Sequence, residues 1–198
     1  PGSHDGKALL HILETYPRDE LFQAGEAELV EIAIGILNLQ ERQRTALFVR
    51  HDPFERFVSC MVYVPRDRFD TALRLKLQAM LAEAYNGTVS AFSTQVGDAP
   101  LARLHVIIKT EQGKVPAVDA GELEARLAAA ARSWADRLDS ALTEELGERR
   151  GTDLSRRYAA AFPSNYQEAF VPKDAVADIR KIEEALESGQ VALDLYRP

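Results

Sequence analysis

RTALFVRHDPFERFVSCMVYVPRDRFDTALRLKLQAMLAEAYNG, residues 44–87, is the stretch that decides the fold. Two apolar runs, residues 44–50 and 57–64, predict a pair of strands, because Asp52-Pro53 between them favours a tight turn. The second run is apolar at almost every position, so we expect its strand to be covered on both faces or central in its sheet. Proline has no N–H to donate to a neighbouring strand, and Pro65 therefore ends the second strand.

The second half of this stretch predicts a helix. Asp67 is placed to cap its start, since a carboxylate can accept a hydrogen bond from the first-turn amides. Asn86-Gly87 is expected to supply the left-handed residue that ends it. The apolar residues between these two ends recur at helical spacing, at Phe69, Leu73, Leu77, Met80, Leu81 and Tyr85.

Outside this stretch, periodicity and turn residues predict the remaining elements. They are helices over residues 5–16 and 26–40, strands over 88–96 and 101–109, a long helix over 119–146, helices over 152–162 and 172–188, and a final strand candidate over 191–196.

From the second strand onward this order contains β-α-β-β-α-β with a helical insertion, which is the ferredoxin-like arrangement. If residues 191–196 do not pair, the core is ββαββα instead. We therefore predict an α+β fold: an antiparallel sheet with helices packed on one face, plus helical extensions at both ends.

The predicted domain organisation has four parts. Residues 1–4, Pro-Gly-Ser-His without a Met, resemble the remnant of a cleaved tag, and the missing Met suggests a piece of a longer protein. Residues 5–43 form an N-terminal helical segment, residues 44–146 the α+β core, and residues 147–198 a C-terminal helical extension with a possible final strand.

Composition narrows the function classes. The formal net charge of −7 argues against nucleic acid as a partner, because phosphate binding needs a basic surface. A lone cysteine, Cys60, cannot form an internal disulfide, and no apolar run approaches the ~20 residues of a membrane span. We therefore expect a cytoplasmic protein without a membrane partner.

Known catalytic patterns are not found in the sequence. It has no Gly-rich phosphate loop, no G-x-S-x-G and no H-E-x-x-H. Cys60 lies in the most apolar strand and is expected to be a core residue rather than a nucleophile. The four histidines are dispersed, so we predict neither a catalytic residue nor a metal site.

A cluster of basic residues is the candidate binding site. Arg50 is the last residue of the first strand, and Arg66, Asp67 and Arg68 lie between the second strand and the helix. Guanidinium groups beside a helix start could hold the carboxylate of an effector. The alternative is that these arginines form ion pairs with neighbouring acidic side chains such as Asp52.

Longer strings carry a family resemblance. ETYPRDELFQ (residues 14–23), LFVRHDPFERFVSCMVYVPRDRFDTALR (47–74), RSWADRL (132–138) and RRYAAAFPSNYQEAF (156–170) resemble the N-terminal half of the large bacterial NAD-specific glutamate dehydrogenases. The resemblance implies ACT-like modules here, associated in other proteins with amino-acid sensing and oligomer contacts. It also implies that the dehydrogenase lies elsewhere, so that NAD is a cofactor of the parent enzyme and none is bound by this piece.

Three functional hypotheses follow. The first is a non-catalytic regulatory and assembly module of such an enzyme, which would form a homo-oligomer, with its other domains and subunits as partners and an amino-acid effector as a candidate ligand. The second is a purely structural interaction module, which an open sheet edge or an exposed apolar helix face would favour. The third is an independent enzyme.

Overall fold

The computed structural model describes residues 4–41 and 43–191. The elements are α1 (His4–Thr15), α2 (Arg18–Gln23), α3 (Glu26–Glu41), β1 (Ala46–His51), β2 (Phe57–Pro65), a 3-10 turn (Arg66–Arg68), α4 (Thr71–Ala84), β3 (Thr88–Gln95), β4 (Leu101–Lys109), α5 (Ala120–Ala130), α6 (Trp134–Leu146), α7 (Glu148–Tyr158), α8 (Ser164–Ala169) and α9 (Pro172–Ser188). The chain divides into two compact units, the first ending at Ala131 and the second beginning at Arg132.

The first unit is built on a four-stranded sheet in the order β1-β2-β4-β3, with every neighbouring pair antiparallel. The predicted α+β class with an antiparallel sheet and helices is confirmed. The final strand candidate lies almost entirely in residues 192–198, outside the described residues. Within the described ranges the core is ββαββα, and β1 lies beside β2 at one edge of the sheet.

Strand β2 is buried on both faces, as its continuous apolar run predicts. On one face Val58, Cys60 and Val62 pack against α4 and α5. On the other face Met61 and Tyr63 pack against α1 and α3 of the N-terminal segment. Burying an aliphatic side chain of this size contributes roughly 1.5–3 kcal/mol, so this strand anchors both helical layers. Cys60 is a core residue, and burial raises the pKa of its thiol to about 12.

The start of α4 differs from the prediction. Asp70, not Asp67, is the N-cap: its backbone is extended, and its Oδ1 accepts a hydrogen bond from the Leu73 N–H at 2.7 Å. Asp67 lies in the 3-10 turn that precedes the helix. A cap must combine extended backbone with a side chain that reaches the third helical amide, and the turn moves that position three residues along the chain.

Two neighbouring residues, Asn86 and Gly87, have different roles at the end of α4. Asn86 takes the left-handed conformation with φ 47°. Gly87 is required for a different reason, because a Cβ at this position would lie 2.5 Å from the Lys109 carbonyl oxygen. The close approach of the chain to the end of β4 therefore depends on the absence of a side chain.

The single long helix predicted over residues 119–146 is wrong, because the structure has two helices there. Asp119 caps the first, accepting from the Glu122 N–H at 2.9 Å. The second begins with a capping box, in which the Asp136 N–H donates to Ser133 Oγ at 3.0 Å and the Ser133 N–H donates to Asp136 Oδ2 at 2.9 Å. A capping box satisfies amides that a continuous helix would bond internally. This break in the helix lies next to the division between the two compact units, at Ala131 and Arg132.

The second unit contains α6, α7, α8 and α9. Gly151 allows close approach of α7 to α6, since a Cβ there would lie 2.6 Å from the Thr143 backbone. Its buried core consists of Trp134, Leu138, Leu142, Leu154, Tyr158, Ala175, Val176 and Ile179. In the described ranges of both units, no helix combines the length and apolar character needed to cross a membrane.

Replacing Gly87 with Ala is expected to destabilise the first unit by about 1–3 kcal/mol, because the new methyl group overlaps the β4 backbone. At Gly97, beyond the other end of β3, a Cβ would have no neighbouring atom within 4 Å, so Gly97→Ala is the matched control and should change stability by less than about 0.5 kcal/mol. Urea unfolding followed by far-ultraviolet circular dichroism measures both. Equal stability of the two variants would contradict the close approach of Gly87 to the Lys109 carbonyl oxygen.

Candidate functional site

The predicted site residues do not form one group. Arg66, Asp67 and Arg68 lie together in the 3-10 turn after β2, where Arg66 and Asp67 are exposed and Arg68 is half-buried. Arg66 is held in place because its Nη1 donates to the Gly97 carbonyl oxygen at 2.9 Å. Arg50 pairs with Ser59 near the opposite end of β2, roughly 20 Å away at the usual strand rise.

Arg50 is engaged in a buried ion pair with Glu20 of α2. Arg50 Nε donates to Glu20 Oε2 at 2.7 Å and its Nη2 donates to Oε1 at 2.9 Å, a two-point contact between side chains that are 3% and 4% exposed. Gln23 Oε1 also accepts from Arg50 Nη2 at 3.1 Å. Two parallel charge-assisted hydrogen bonds fix both orientation and distance, so we call this contact the Glu20–Arg50 clasp.

Two further side chains complete the surroundings of the clasp. His105 Nε2 lies 2.9 Å from Ser59 Oγ and 3.5 Å from Glu20 Oε1. Burial acts to raise the pKa of the Glu20 carboxyl, but hydrogen bonds with His105, Arg50 and Ser59 outweigh burial and lower its pKa to about 2. Glu20 is therefore ionised at any physiological pH and compensates the buried charge of Arg50.

Glu20 is the residue that sequence reasoning missed, because the pattern of residues 17–24 indicates a connector between two helices. The sequence does contain features typical of the start of a helix. Pro17 precedes α2, and Asp19 and Glu20 fall in its first turn, where negative charge is favoured. The predicted alternative of ion pairing is what the structure shows for Arg50. It also holds for Arg56, whose Nε donates to Asp52 Oδ2 at 2.8 Å.

The two edge strands of the sheet differ in whether their outer main-chain groups have hydrogen-bond partners. At the β1 edge, the Leu47 N–H donates to Glu124 Oε2 of α5 at 2.9 Å, and Arg44 Nη1 donates to Glu124 Oε1 at 2.6 Å. A side chain from the covering helix thus occupies a main-chain donor that another strand would need. Such blocking of an edge is a common protection against unwanted strand pairing.

The β3 edge is open along its length. All eight residues of β3, TVSAFSTQ, are exposed, none is charged, and in the described ranges no group pairs with their outer main-chain atoms. Phe92 is half exposed under the guanidinium of Arg74, which lies 4.6 Å from the ring centroid. An exposed edge without charge is unusual and marks a surface able to accept another strand.

Two helices also carry exposed apolar pairs at four-residue spacing. They are Val30 and Ile34 on α3, and Ile182 and Leu186 on α9. Residues four apart lie on the same helix face, so each pair forms a short apolar stripe. Such stripes are expected if the helical extensions pack against parts of a larger protein.

Three family models match the chain. The glutamate dehydrogenase ACT2 domain matches residues 46–135, glutamate dehydrogenase helical motif 1 matches residues 1–42, and helical motif 2 matches residues 141–185. The chain belongs to the ACT2 and helical-motif region of the glutamate dehydrogenase family. The motif 1 match includes residues 1–4, whose origin as a tag remnant stays a prediction.

Individual relatives agree with this assignment. The chain is 44% identical over 197 residues to an NAD-specific glutamate dehydrogenase of Halomonas elongata, 36% over 196 residues to one of Pseudomonas aeruginosa, and 36% over 194 residues to one of Mycobacterium tuberculosis. These alignments cover 92–100% of the chain but 12% of each relative. The chain therefore corresponds to about an eighth of the length of these proteins.

The boundary between two of the family matches falls between the two residues of the clasp. Glu20 belongs to helical motif 1 and Arg50 to the ACT2 domain, so the buried ion pair joins two separately recognised segments. A second link joins the same segments, because Arg103 Nη1 of β4 donates to the Thr15 carbonyl oxygen at 2.9 Å. In the described residues, helical motif 1 is thus a structural part of the first unit.

Replacing Glu20 with Gln should destabilise the first unit by about 3–5 kcal/mol, because the substitution leaves the Arg50 charge buried without a counter-charge. Asp19→Asn, an exposed change on the same helix, is the control and should cost less than about 0.5 kcal/mol. The pKa of the Glu20 carboxyl is lowered on folding, so its contribution is present above about pH 4.5 and is lost as the pH falls toward 2.

The measurement is urea unfolding of wild-type protein and both variants across that pH range. The stability difference between wild type and Glu20→Gln should narrow as the pH falls. A difference that stays constant with pH would show that Glu20 is not ionised in the clasp.

Proposed function

We propose that this chain is a non-catalytic regulatory and assembly module of a large NAD-specific glutamate dehydrogenase. The parent reaction would be the oxidative deamination of L-glutamate to 2-oxoglutarate with NAD, and NAD would bind elsewhere in the parent. The open β3 edge is the structural observation that carries the assembly role. The similarity to 12% of the length of proteins named NAD-specific glutamate dehydrogenase supports the choice of parent.

Assembly through β3 is favoured by its geometry and charge. Eight extended residues offer roughly 27 Å of main chain for pairing. Because β3 has no charged side chain, a second copy could pair with it antiparallel without opposing like charges. The partners on this proposal are other domains and subunits of the parent, which would be a homo-oligomer in the cytoplasm. The apolar stripes on α3 and α9 would pack against the parent's remaining chain.

In the complete parent polypeptide, Phe92→Lys should weaken assembly, because it places a charge on the open edge. Phe54→Lys is a closely matched control: Phe54 is also exposed and lies under an arginine, with Arg56 5.0 Å from its ring centroid, but it is in the β1–β2 turn. Mass photometry measures the oligomer, and glutamate-dependent reduction of NAD measures the parent activity. Unchanged assembly of Phe92→Lys would argue against the β3 edge as an interface.

Amino-acid sensing is the second candidate function. The 3-10 turn presents the cation of Arg66 and the anion of Asp67 side by side and exposed, which complements the carboxylate and ammonium of an amino acid. Arg68 belongs to the same turn, whereas Arg50 is neutralised by Glu20 and would not take part. The purely structural module remains the alternative.

A thermal-shift screen against the twenty amino acids separates these two possibilities. Sensing predicts a saturable rise in melting temperature with one or a few amino acids, since a ligand that binds only the native state stabilises it. Arg66→Ala should abolish the rise, and Arg18→Ala, an exposed arginine on α2, should not. No shift with any amino acid at millimolar concentration would favour the structural module.

A further inference from the structure

A cavity of about 560 Å³ lies on the face of the sheet that helical motif 1 covers, beside the β3–β4 turn. This volume falls within the range of small-molecule sites, roughly 300–1,000 Å³. Its wall includes His11, Ile12, Tyr63, Asp98, Leu101 and Arg103. None of the site residues predicted from sequence, Arg50, Arg66, Asp67 and Arg68, lines it.

Arg103 contributes a guanidinium group to the wall of the cavity. It lies on β4, half-buried, with Nη1 donating to the Thr15 carbonyl oxygen at 2.9 Å. A guanidinium has five N–H donors, and in the described part of the chain no carboxylate forms an ion pair with Arg103. The buried arginine of this unit, Arg50, has a full carboxylate partner, so the absence of one at Arg103 leaves donors for an anion.

The rest of the wall limits the charge of that anion. His11, which is exposed, also lines the cavity, and the Tyr63 hydroxyl, which lies beside the Arg103 guanidinium, donates to a weak sulfur acceptor, Met61 Sδ, at 3.6 Å. Asp98, in contrast, contributes a carboxylate to the same wall. One negative charge in the wall repels a doubly charged phosphate more strongly than a singly charged carboxylate.

The floor of the cavity is apolar. Ile12 and Ile36 are buried in the core of this face, and Leu101 packs against the same core. A ligand that fills the cavity would therefore place a hydrocarbon portion against these side chains while its charge meets Arg103. Convergence of one charged donor with an apolar floor is the usual composition of a small-molecule site.

We propose that this cavity binds a small monocarboxylate with an apolar body, its carboxylate held by Arg103. The inference goes beyond the assembly role and does not depend on it, because Phe92 pairs with Val106, whose side chain belongs to the core on the opposite face of the sheet. A negative result here would leave the β3 edge proposal intact.

The test is isothermal titration calorimetry of this chain with 3-phenylpropionate and with its neutral counterpart, 3-phenylpropionamide. We expect the carboxylate to bind at least about tenfold more tightly than the amide, since the charge-assisted contact with a guanidinium is lost in the amide. Arg103→Met keeps the length of the side chain and should remove this preference. Arg18→Met, exposed and outside the cavity, should retain it.

A second variant separates a loss of binding from a folding defect of Arg103→Met. Ala99 is exposed and lines the cavity, so Ala99→Trp should obstruct the cavity without disturbing the core, and carboxylate binding should be lost at an unchanged melting temperature. Equal affinity for the amide and the carboxylate would overturn the proposal. So would binding that survives either Arg103→Met or Ala99→Trp, or no binding of the carboxylate at millimolar concentration.

Discussion

The buried ion pair between Glu20 and Arg50 is the interaction on which the first unit depends. Removing a charge from water costs several kcal/mol, and only a well-oriented partner offsets that cost. The side chains are 3% and 4% exposed and meet at two points, so neither can leave without exposing the other to an apolar interior. A six-residue helix too short to be stable by itself is therefore held against the sheet, and with it the segment matched as helical motif 1.

Because helices cover both faces of the sheet, its edge strands are where another chain could pair with it. With α4 and α5 on one face and the N-terminal helices on the other, β2 is buried on both sides. Glu124 occupies part of the β1 edge, whereas β3 offers eight exposed and uncharged residues. The surface able to form regular hydrogen bonds with another chain is thus concentrated at one edge. That concentration supports the proposed role in assembly.

The local errors of sequence reasoning concern where a helix begins or is interrupted. Asp67 and Asp70 both suit a helix cap, and only the backbone path after Pro65 selects Asp70. The apolar spacing over residues 119–146 continues across Ser133, where the capping box interrupts the helix. Periodicity reports which face of a helix is buried and is insensitive to a break that keeps the phase.

The sequence by itself determined the four strands, most of the helices, the central position of β2 and the family, because these depend on local apolar patterns and on long strings of residues. Only the tertiary structure decided which charged side chains are buried, paired or exposed. Arg50 belongs to a buried clasp because Glu20, thirty positions away, comes within 2.7 Å of it, and Arg103 reaches Thr15 across an even longer separation. Whether a charge is solvated, paired or left available to a ligand depends on what surrounds it in space, and a one-dimensional pattern carries no record of those neighbours.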